Sequence, residues 1–547
     1  MRRFLALLSA LAFCAPAAAE AGRVGVGVAP GASLDEVAAL VEARTGVPVE
    51  RDEGLRALFL DAEQASDLRD LRGVSYVEPL DAIRRLSFTP NDPLLARQWY
   101  VRETKAFDFW PQAPSLPGLK VAVIDSGIDA GHPELARRIA AGKSFVGGDW
   151  RVDKQGHGTF VAGEIAAATG NAQGIAGIAF PAQLLVAKVV KENRSIPLEA
   201  EVKAIRWAVD SGAQVINLSL SGVRDPLNPK RDSYSQLEAA AVAYAFRKGV
   251  LVVASVGNGD QAPQLPWDYA GWPAALPHVL SVSALGRDGS VPSFSNRDDF
   301  YNDLAAPGEE ILSTLPRALT AARPSCLNQG YSDCGNLEYR RAEGTSFAAP
   351  QVAAAAALLW SAKPLLRPEQ VAGLLTRTAS DLREIHCRGC LPGHDRLSGW
   401  GRLNIQQALV QAVYGEAPEP DRFETNDDAG DQAWKLWGAA SKRTLTATLD
   451  FYDDQIDVYS IMVKKGQRLS ASLRGPALTD ANLVLWRPGT KHVEDPSKQQ
   501  LRAATSAKGG WIEQITNYRA RVAGRYFIEV KLSAPGDGAY SLSITRK

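Results

Sequence analysis

The spacing of apolar and polar residues predicts a small mixed unit near the start of the chain. RVGVGVA and VSYVEPL are typical of strands, and SLDEVAALVEARTG is typical of a helix with Ser33 and Glu36 at capping-box spacing and Gly46 at its end. A second helix over AEQASDLRDLRG, a strand at LRALFL and a short strand near residues 47–50 complete the order βαββαβ. This order predicts a ferredoxin-like unit.

The middle of the chain has a different pattern, in which strands and helices alternate. Its strands are β-branched and almost continuously apolar: LKVAVID, AQLLVAKVV, AQVINLSL, GVLVVASVG and HVLSVSAL. Continuous apolar strands indicate burial on both faces, so the prediction is an α/β fold with a mostly parallel sheet between two layers of helices. Ligands of such sheets bind beyond the carboxyl ends of the strands.

The pattern changes again after the acidic, proline-containing stretch GEAPEPDRFETNDDAGD. Beyond it, apolar and polar residues alternate in short runs such as RLSASLRG, GRYFIEVKL and GAYSLSITRK, which Gly, Pro and Asp turns separate. This alternation predicts an all-β sandwich of roughly immunoglobulin-like size.

The N-terminal segment indicates the location of the protein, and the charge balance limits the partners that it can bind. MRRFLALLSALAFCAPAAAEA has two arginines, a short apolar stretch and a small-residue end, which predicts a signal peptide cut after Ala19 or Ala21. No later apolar run is long enough for a transmembrane helix, so we expect a secreted or periplasmic protein. The 61 basic and 61 acidic residues exclude an electrostatic nucleic-acid binder. A monomer is the default expectation.

Four cysteines remain after the signal peptide, and they allow three disulfide pairings. Neighbour pairing is favoured, which joins Cys326 to Cys334 and Cys387 to Cys390. His386 and His394 beside the CxxC could also be drawn as a zinc site, but an oxidising compartment favours the disulfide.

Three residues at predicted element ends carry candidate chemistry. Asp125 ends the strand VAVID, His157 begins the helix HGTFVAGE, and Ser346 begins the helix TSFAAP. Each alone is more often a cap or a structural residue. Together they form a possible nucleophile, a base and an orienting carboxylate, in one of the known chain orders for such a triad.

The residues around these three favour the same chemistry. Glycines flank His157, and Gly344 and two alanines keep side chains away from Ser346, where a peptide must lie. A helix that begins at Ser346 would point free N–H groups at a developing oxyanion. Asn258, in the turn VGNGD after a strand, is the right residue type for a second oxyanion donor, although an ordinary turn asparagine is the alternative.

With the motifs DSG, HGT, GN and GTSFAAP in this order, residues 22 to 414 resemble a secreted subtilisin-family serine protease. The resemblance implies Ser346 as nucleophile, His157 as general acid and base, Asp125 as its orienter and Asn258 as oxyanion donor. It also implies substrate-binding segments, which are Ser219, Leu220, Ser221 and Gly222 on one side and Ser255, Val256 and Gly257 on the other.

Three positions depart from the family's usual pattern. Ser221 and Val256 are bulkier than the common glycine and alanine, so we expect very large P1 side chains to fit less well. Phe347 replaces the methionine that often follows the serine, which removes an oxidation-sensitive sulfur.

The predicted organisation is a signal peptide (1–21), an inhibitor propeptide (22–88), a catalytic domain (89–415), a linker (416–425) and a C-terminal β-sandwich (426–547). The last resembles the sandwich that follows many bacterial secreted peptidases. The implied function is a secreted endopeptidase that cleaves proteins or peptides, with its own propeptide as intramolecular inhibitor. A catalytically silent scaffold that binds a surface or polymer remains the alternative.

No cofactor is expected for the chemistry, but structural calcium is possible. The acidic clusters that could bind it are Asp450, Asp453, Asp454 and Asp457, and the run from Glu424 to Asp428. Solvated turn carboxylates are the other interpretation of these clusters.

Overall fold

The structure is a computed structural model of the chain. It describes residues 23–61, 68–80, 88–110, 118–260, 262–320, 338–384, 387–419, 421–436, 438, 441–452, 454–476, 479–493 and 496–547. The chain divides into two compact units, Met1–Leu86 and Ser87–Lys547.

The first unit is a four-stranded sheet with a helix. Its elements are β1 (Arg23–Val28), α1 (Leu34–Thr45), β2 (Glu50–Asp52), β3 (Ala57–Asp61) and β4 (Val74–Pro79). The strand order β2-β3-β1-β4, with antiparallel neighbours, is the order of a ferredoxin-like sheet. Ser33 caps α1, and Gly46 ends it at φ 71°, as the sequence predicts. The first half of the predicted second helix, residues 62–67, lies outside the described residues.

The second unit begins with an α/β region built on a seven-stranded parallel sheet. The strands are β5 (Lys120–Asp125), β6 (Ile139–Ser144), β7 (Gln183–Lys188), β8 (Val215–Leu218), β9 (Leu251–Ser255), β10 (Val279–Leu285) and β11 (Leu304–Pro307). Their order is β11-β10-β9-β8-β5-β7-β6, with Val121 of β5 opposite Leu184 on one side and Val215 on the other. The predicted α/β fold is confirmed.

Helices cover both faces of this sheet. They are α2 (Trp99–Glu103), α3 (His157–Ala166), α4 (Leu198–Asp210), α5 (Gln236–Arg247), α6 (Arg317–Thr320), α7 (Ala349–Ala362), α8 (Pro368–Arg377) and α9 (Ile405–Tyr414). The core on one face joins α3, α7, α8 and α9, and the core on the other face joins α4 and α5. A two-stranded antiparallel sheet of β12 (Ile311–Thr314) and β13 (Tyr339–Ala342) lies beside α3.

The C-terminal part is a sandwich of two β-sheets. Its strands are β14 (Trp434–Lys435), β15 (Lys442–Asp450), β16 (Ile456–Val463), β17 (Arg468–Arg474), β18 (Ala481–Trp486), β19 (Arg502–Ser506), β20 (Ile512–Arg519), β21 (Gly524–Leu532) and β22 (Asp537–Arg546). The sheets have the orders β14-β16-β21-β18-β19 and β15-β22-β17-β20, and inward-facing apolar residues of both form one core. Burial alternates along β15, β17 and β22, as the sequence predicts, whereas β16 and β21 are buried on both faces.

The sandwich packs directly against the α/β region. Trp400 Nε1 donates a hydrogen bond to Phe451 O at 3.2 Å, and the rings of Phe300 and Phe451 meet edge to face. Arg377 of α8 pairs with Asp450 of β15 at 2.6 Å. These contacts make the sandwich part of the same compact unit as the α/β region.

The structure bears on the predicted cysteine pairs and on the possible zinc site. The structure pairs Cys387 with Cys390, whereas Cys326, Cys334 and His386 lie outside the described residues. His394, the other histidine of the possible zinc site, bonds instead to Asn302 O at 2.9 Å through Nε2.

Among the residues that the structure describes, we find no helix with the length and hydrophobicity to cross a membrane.

Candidate active site

Asp125 and His157 meet at the carboxyl edge of the parallel sheet. Asp125 is the last residue of β5, only 3% exposed, and His157 is the first residue of α3. His157 Nδ1 lies 2.8 Å from Asp125 Oδ2 and 2.9 Å from Oδ1. Asp125 Oδ1 also accepts the backbone N–H of Ser126 at 2.6 Å. The carboxylate is thus held by two donors and fixes the imidazole ring.

Local backbone geometry explains why glycine follows His157. A Cβ atom at Gly158 would lie 2.2 Å from the carbonyl oxygen of Gly127 and 3.1 Å from Asp125 Cβ. Any side chain at this position would push α3 away from the end of β5. Glycine therefore permits the close approach that brings the histidine to the aspartate.

Two opposing effects set the charge of His157. Burial lowers the pKa of the ring, but the charge and hydrogen bond of Asp125, with a further contribution from the charge of Asp153, outweigh it. The pKa of His157 therefore lies above its ordinary value of 6.5. The ring becomes a neutral base only as the pH rises past that raised value.

Ser346 lies in a short 3₁₀ turn, Thr345–Phe347, just before α7. The prediction that a helix begins at Ser346 is therefore wrong by three residues, since α7 starts at Ala349 with a proline in its first turn, where proline is favoured. Ser346 Oγ donates to Ser219 O at 3.2 Å, and Ser219 Oγ donates to Ser346 O at 2.6 Å. This exchange ties the turn to the segment that follows β8.

Asn258 lies beyond the end of β9 and is held by the residue before Ser346. Its Oδ1 accepts two bonds from Thr345, one from the backbone N–H at 2.9 Å and one from Oγ1 at 2.8 Å. Because both donors occupy the amide oxygen, the NH₂ group is the end that remains for another acceptor. An amide in this orientation can donate to an oxyanion beside Ser346.

Asp125, His157, Asn258 and Ser346 all line one cavity of about 280 Å³. The predicted binding residues that also line it are Ser219, Leu220, Ser221, Gly222, Ser255 and Gly257. Val256 does not line it, because its side chain is fully buried in the core under α4 and α5. The expectation that Val256 adds bulk to this cavity is therefore wrong. Successive side chains alternate, so Val256 points inward where Ser255 and Gly257 face the cavity.

Sequence reasoning missed Asp153, which joins the loops that carry Asp125 and His157. The Asp153 carboxylate is only 3% exposed. Its Oδ1 accepts hydrogen bonds from Ser126 Oγ at 2.8 Å, Gly156 N at 2.8 Å and Gln155 N at 3.0 Å. Its Oδ2 accepts hydrogen bonds from Thr159 N at 2.9 Å and Thr159 Oγ1 at 2.8 Å. The only feature of the sequence that could have pointed to Asp153 is its position four residues before His157. Trp267 and Asn296, which also line the cavity, come from loops without a distinctive pattern.

The two acidic stretches that could hold calcium come together in the structure. Glu424, Asp454 and Asp457 offer carboxylate oxygens that all lie within 4.8 Å of one another. Asp453, the other member of the predicted cluster, lies outside the described residues. This group is remote in sequence from the triad and lies where the sandwich meets the α/β region.

An aspartate, a histidine and a serine at the carboxyl edge of a parallel α/β sheet, with a polarised amide beside the serine, are typical of serine hydrolases. Residues 117–401 match the model of the Subtilase family. The chain belongs to the subtilase family.

Two relatives illustrate the likeness. The chain is 35% identical over 290 residues to the thermophilic serine proteinase of Bacillus sp. (strain AK1), which covers 53% of this chain and 63% of the relative. It is 36% identical over 290 residues to the major intracellular serine protease of Bacillus subtilis (strain 168), which covers 51% of this chain and 81% of the relative. A solved structure of a protease from Pseudoalteromonas arctica PAMC 21717 is 26% identical, with a TM-score of 0.48, over 59% of this chain and 99% of that one.

Proposed function

We propose that the protein is a serine endopeptidase that hydrolyses peptide bonds of proteins through an acyl-enzyme. The observation that supports this most is the common cavity in which the His157 and Asp125 pair, Ser346 and the amide of Asn258 converge. Family membership supports the same reaction class, and the relatives named above are called serine proteinase or serine protease.

In the proposed reaction, His157 accepts the proton of Ser346 while the Ser346 oxygen attacks the substrate carbonyl carbon. For this step the hydroxyl exchanges its bond to Ser219 O for one to the imidazole. Asn258 and the backbone N–H of Ser346 stabilise the oxyanion, and Asp125 stabilises the imidazolium. The imidazolium then protonates the leaving amine as the peptide bond breaks. A water molecule, deprotonated by His157, then attacks the acyl carbon, and the imidazolium returns that proton to the Ser346 oxygen as the ester bond breaks and the acid product leaves.

We further propose that the protein is exported and made as a self-inhibited precursor. The signal-like N-terminal sequence supports export, and the ferredoxin-like unit before the α/β region supports an inhibitor propeptide. One relative is named as intracellular, so location has to be measured on this chain. Fractionation of an expressing bacterial host, with periplasm and medium assayed separately from cytoplasm, would reject export if the chain stays in the cytoplasm at full length.

No step of the proposed chemistry requires a cofactor. Oxygen-rich acidic groups suit hard cations such as calcium, whose proposed contribution here is structural. Chelation should therefore lower thermal stability before it lowers turnover of the folded enzyme at low temperature. A complete and immediate loss of turnover in a chelator, with folding unchanged, would reject this assignment.

The experiment for the proposed function compares the purified chain with its Ser346→Ala variant on a peptide library. The chain should cleave the library, and mapping of the cleaved bonds gives the P1 preference, which we expect to exclude very large side chains. The variant should lose activity by about a million-fold, because no other group attacks the carbonyl efficiently. If both proteins are inactive after removal of residues 1–88, the scaffold alternative gains support.

A further inference from the structure

Two fully buried polar residues, Glu164 and Gln351, lie on the helices that carry or follow the candidate triad residues. Glu164 lies on α3, about two turns after His157, and Gln351 lies on α7, five residues after Ser346. Glu164 Oε2 lies 3.3 Å from Gln351 Nε2. The pair therefore joins the helix that carries the histidine to the helix that follows the serine.

The amide of Gln351 holds the turn that carries Ser346. Its Nε2 donates hydrogen bonds to Phe347 O at 2.9 Å and to Pro307 O at 2.7 Å. Phe347 is the last residue of the 3₁₀ turn, and Pro307 is the last residue of β11. The amide thus ties the residue after the proposed nucleophile to the carboxyl edge of the parallel sheet.

The side chain of Phe347 extends this restraint to His157. The centroid of its ring lies 5.4 Å from that of the imidazole and 4.5 Å from that of Phe160, one turn further along α3. Phe347 is buried in close packing, so its ring has little room to move away from α3. A displacement of Phe347 O would therefore disturb the serine next to it in the chain and the imidazole against its ring.

Glu164 lacks the donors that an ionised carboxylate needs. The Gln351 NH₂ group has two hydrogens, and the two backbone carbonyls occupy them. In the described part of the chain, Glu164 Oε1 and Gln351 Oε1 have no hydrogen-bond partner. Burial raises the pKa of Glu164 well above its ordinary value of 4.5, and the contact with Gln351 opposes this only in part. A neutral carboxylic acid, which can itself donate a hydrogen bond, suits this place.

The surroundings of Glu164 on the neighbouring elements are also uncharged. Tyr100 of α2 is the titratable side chain that its charge affects, and burial together with that charge raises the pKa of the phenol. The phenol is therefore neutral as well, and it donates to Leu312 O of β12 at 3.2 Å. Glu164 and Gln351 thus form a buried polar link between α3 and α7 inside an apolar core.

We propose that Gln351 and Glu164 are positioning residues for the reaction at Ser346: Gln351 fixes the serine turn through Phe347 O, and Glu164 keeps the Gln351 amide in place. These roles rest on the serine peptidase function proposed above. Both residues act through Phe347 and do not touch the reacting atoms. The link sets the separation between the Ser346 oxygen and the imidazole, on which the proton transfer depends.

The first test compares the parent enzyme with Gln351→Met, which keeps the length of the side chain and removes its donors. Two rates should fall about tenfold or more, kcat and the rate at which a serine-directed sulfonyl fluoride modifies Ser346, because both need an aligned hydroxyl and imidazole. KM should change by less than about twofold, since the cavity walls are untouched. A Gln351→Met enzyme with the kcat and labelling rate of the parent overturns the role of Gln351.

Gln370→Met on α8 is the matched control. Gln370 is also a buried glutamine whose amide donates to the carbonyl of a proline, Pro418, at 3.1 Å. Its replacement should lower the melting temperature and leave kcat and the labelling rate unchanged. An equal loss of both rates in this control would mean that any buried glutamine has the same effect, which overturns the positioning role.

Two substitutions test Glu164. Glu164→Gln replaces a neutral acid by a neutral amide of the same shape and should keep kcat within about threefold of the parent. Glu164→Met removes the polar atoms and should lower kcat and the labelling rate about as much as Gln351→Met does. Equal rates in the two variants, whether high or low, overturn the role of Glu164.

Thermal unfolding shows which variants fold, and the rates are measured well below the lowest melting temperature. If Gln351→Met does not fold, Gln351→Asn takes its place, because its amide is too short to hold both carbonyls. The same loss is then expected, and parental rates overturn the role. If the parent neither cleaves peptides nor is labelled at Ser346, the proposed function fails, and the positioning roles fail with it. If the parent does both and the variants match it, only the positioning roles fail.

Discussion

Carboxylates are buried both in the active-site cavity (the cleft) and where the sandwich meets the α/β region (the junction). The two places differ in the hydrogen-bond donors that surround these carboxylates. In the cleft, each oxygen of Asp125 and Asp153 accepts at least one hydrogen bond from a donor supplied by the chain. At the junction, one carboxylate oxygen each of Glu424, Asp454 and Asp457 is buried without a donor among the described residues. The cleft is therefore preorganised by donors of the polypeptide, whereas the junction oxygens have no such donors among the described residues.

Among variants that leave the triad intact, the largest expected effect comes from removing a preorganised donor of the cleft. Asn258→Ala should lower kcat by about 100- to 1000-fold with little change in KM, because the oxyanion forms only as the reaction proceeds. Steady-state kinetics on one peptide substrate measures this split. Thr345→Val, which removes only the hydroxyl that orients Asn258, should cost less. An Asn258→Ala enzyme within threefold of the parent would mean that the cleft is not organised around an oxyanion.

A smaller effect tests whether Asp153 positions the histidine. Asp153→Asn should lower kcat/KM by about tenfold or more, because loosened loops misplace His157. It should also move the acidic limb of the kcat/KM profile to lower pH. The charge of Asp153 helps to raise the pKa of His157 above the value that burial alone would give, so its removal lets the ring become a neutral base at lower pH.

The exposed Asp149→Asn variant is the matched control for this pH profile. It should leave kcat/KM and the position of the acidic limb close to the parent values. A purely structural role of Asp153 would lower stability and leave the limb of the remaining active enzyme in place. That result would remove Asp153 from the catalytic arrangement.

The sequence identifies the triad candidates of the cleft better than it identifies the residues, such as Asp153, that hold them in position. Asp125, His157 and Ser346 belong to short motifs at element ends, so residue type and order were enough to group them. Asp153 has no motif, because its role depends on donors that only the folded loops bring together. Val256 was misassigned because the sequence of a strand end does not show which face a side chain takes.

The predicted strands show a similar limit. β5, β7, β8, β9 and β10 are continuous apolar runs and were predicted. The edge strands β6 and β11 were not, because IAAGKS contains glycine and lysine and LAAP is short and ends in proline. That Glu369 lines one cavity with Glu424, Asp427 and Asp454 could not be predicted, since these residues are far apart in sequence.

The smallest expected effect concerns two buried glutamates that lie outside the cleft and the junction. Glu201 of α4 and Glu238 of α5 are both about 5% exposed. Burial raises the pKa of each, and the charge and hydrogen bond of Glu201 raise that of Glu238 further. The protonated pair contributes full stability below the ordinary glutamate pKa of 4.5, and this contribution is lost as the pH rises through the raised values.

Glu238→Gln should therefore stabilise the protein at pH 8 by on the order of 1 kcal/mol and have little effect near pH 4. Chemical denaturation of the Ser346→Ala chain at the two pH values measures the difference. Glu199→Gln, on the exposed face of α4, should show no such pH dependence. A Glu238→Gln variant that is destabilised equally at both values would show that the pair does not share this burial cost.

The most direct test of the central proposal, that Ser346 is the nucleophile, is covalent labelling by a serine-directed sulfonyl fluoride followed by mass mapping. We predict one adduct per active chain, located on Ser346, with peptidase activity lost in proportion to labelling. The His157→Ala variant should label far more slowly, because the hydroxyl has no base. Loss of activity with Ser346 unmodified, or full activity with Ser346 fully labelled, would contradict the account.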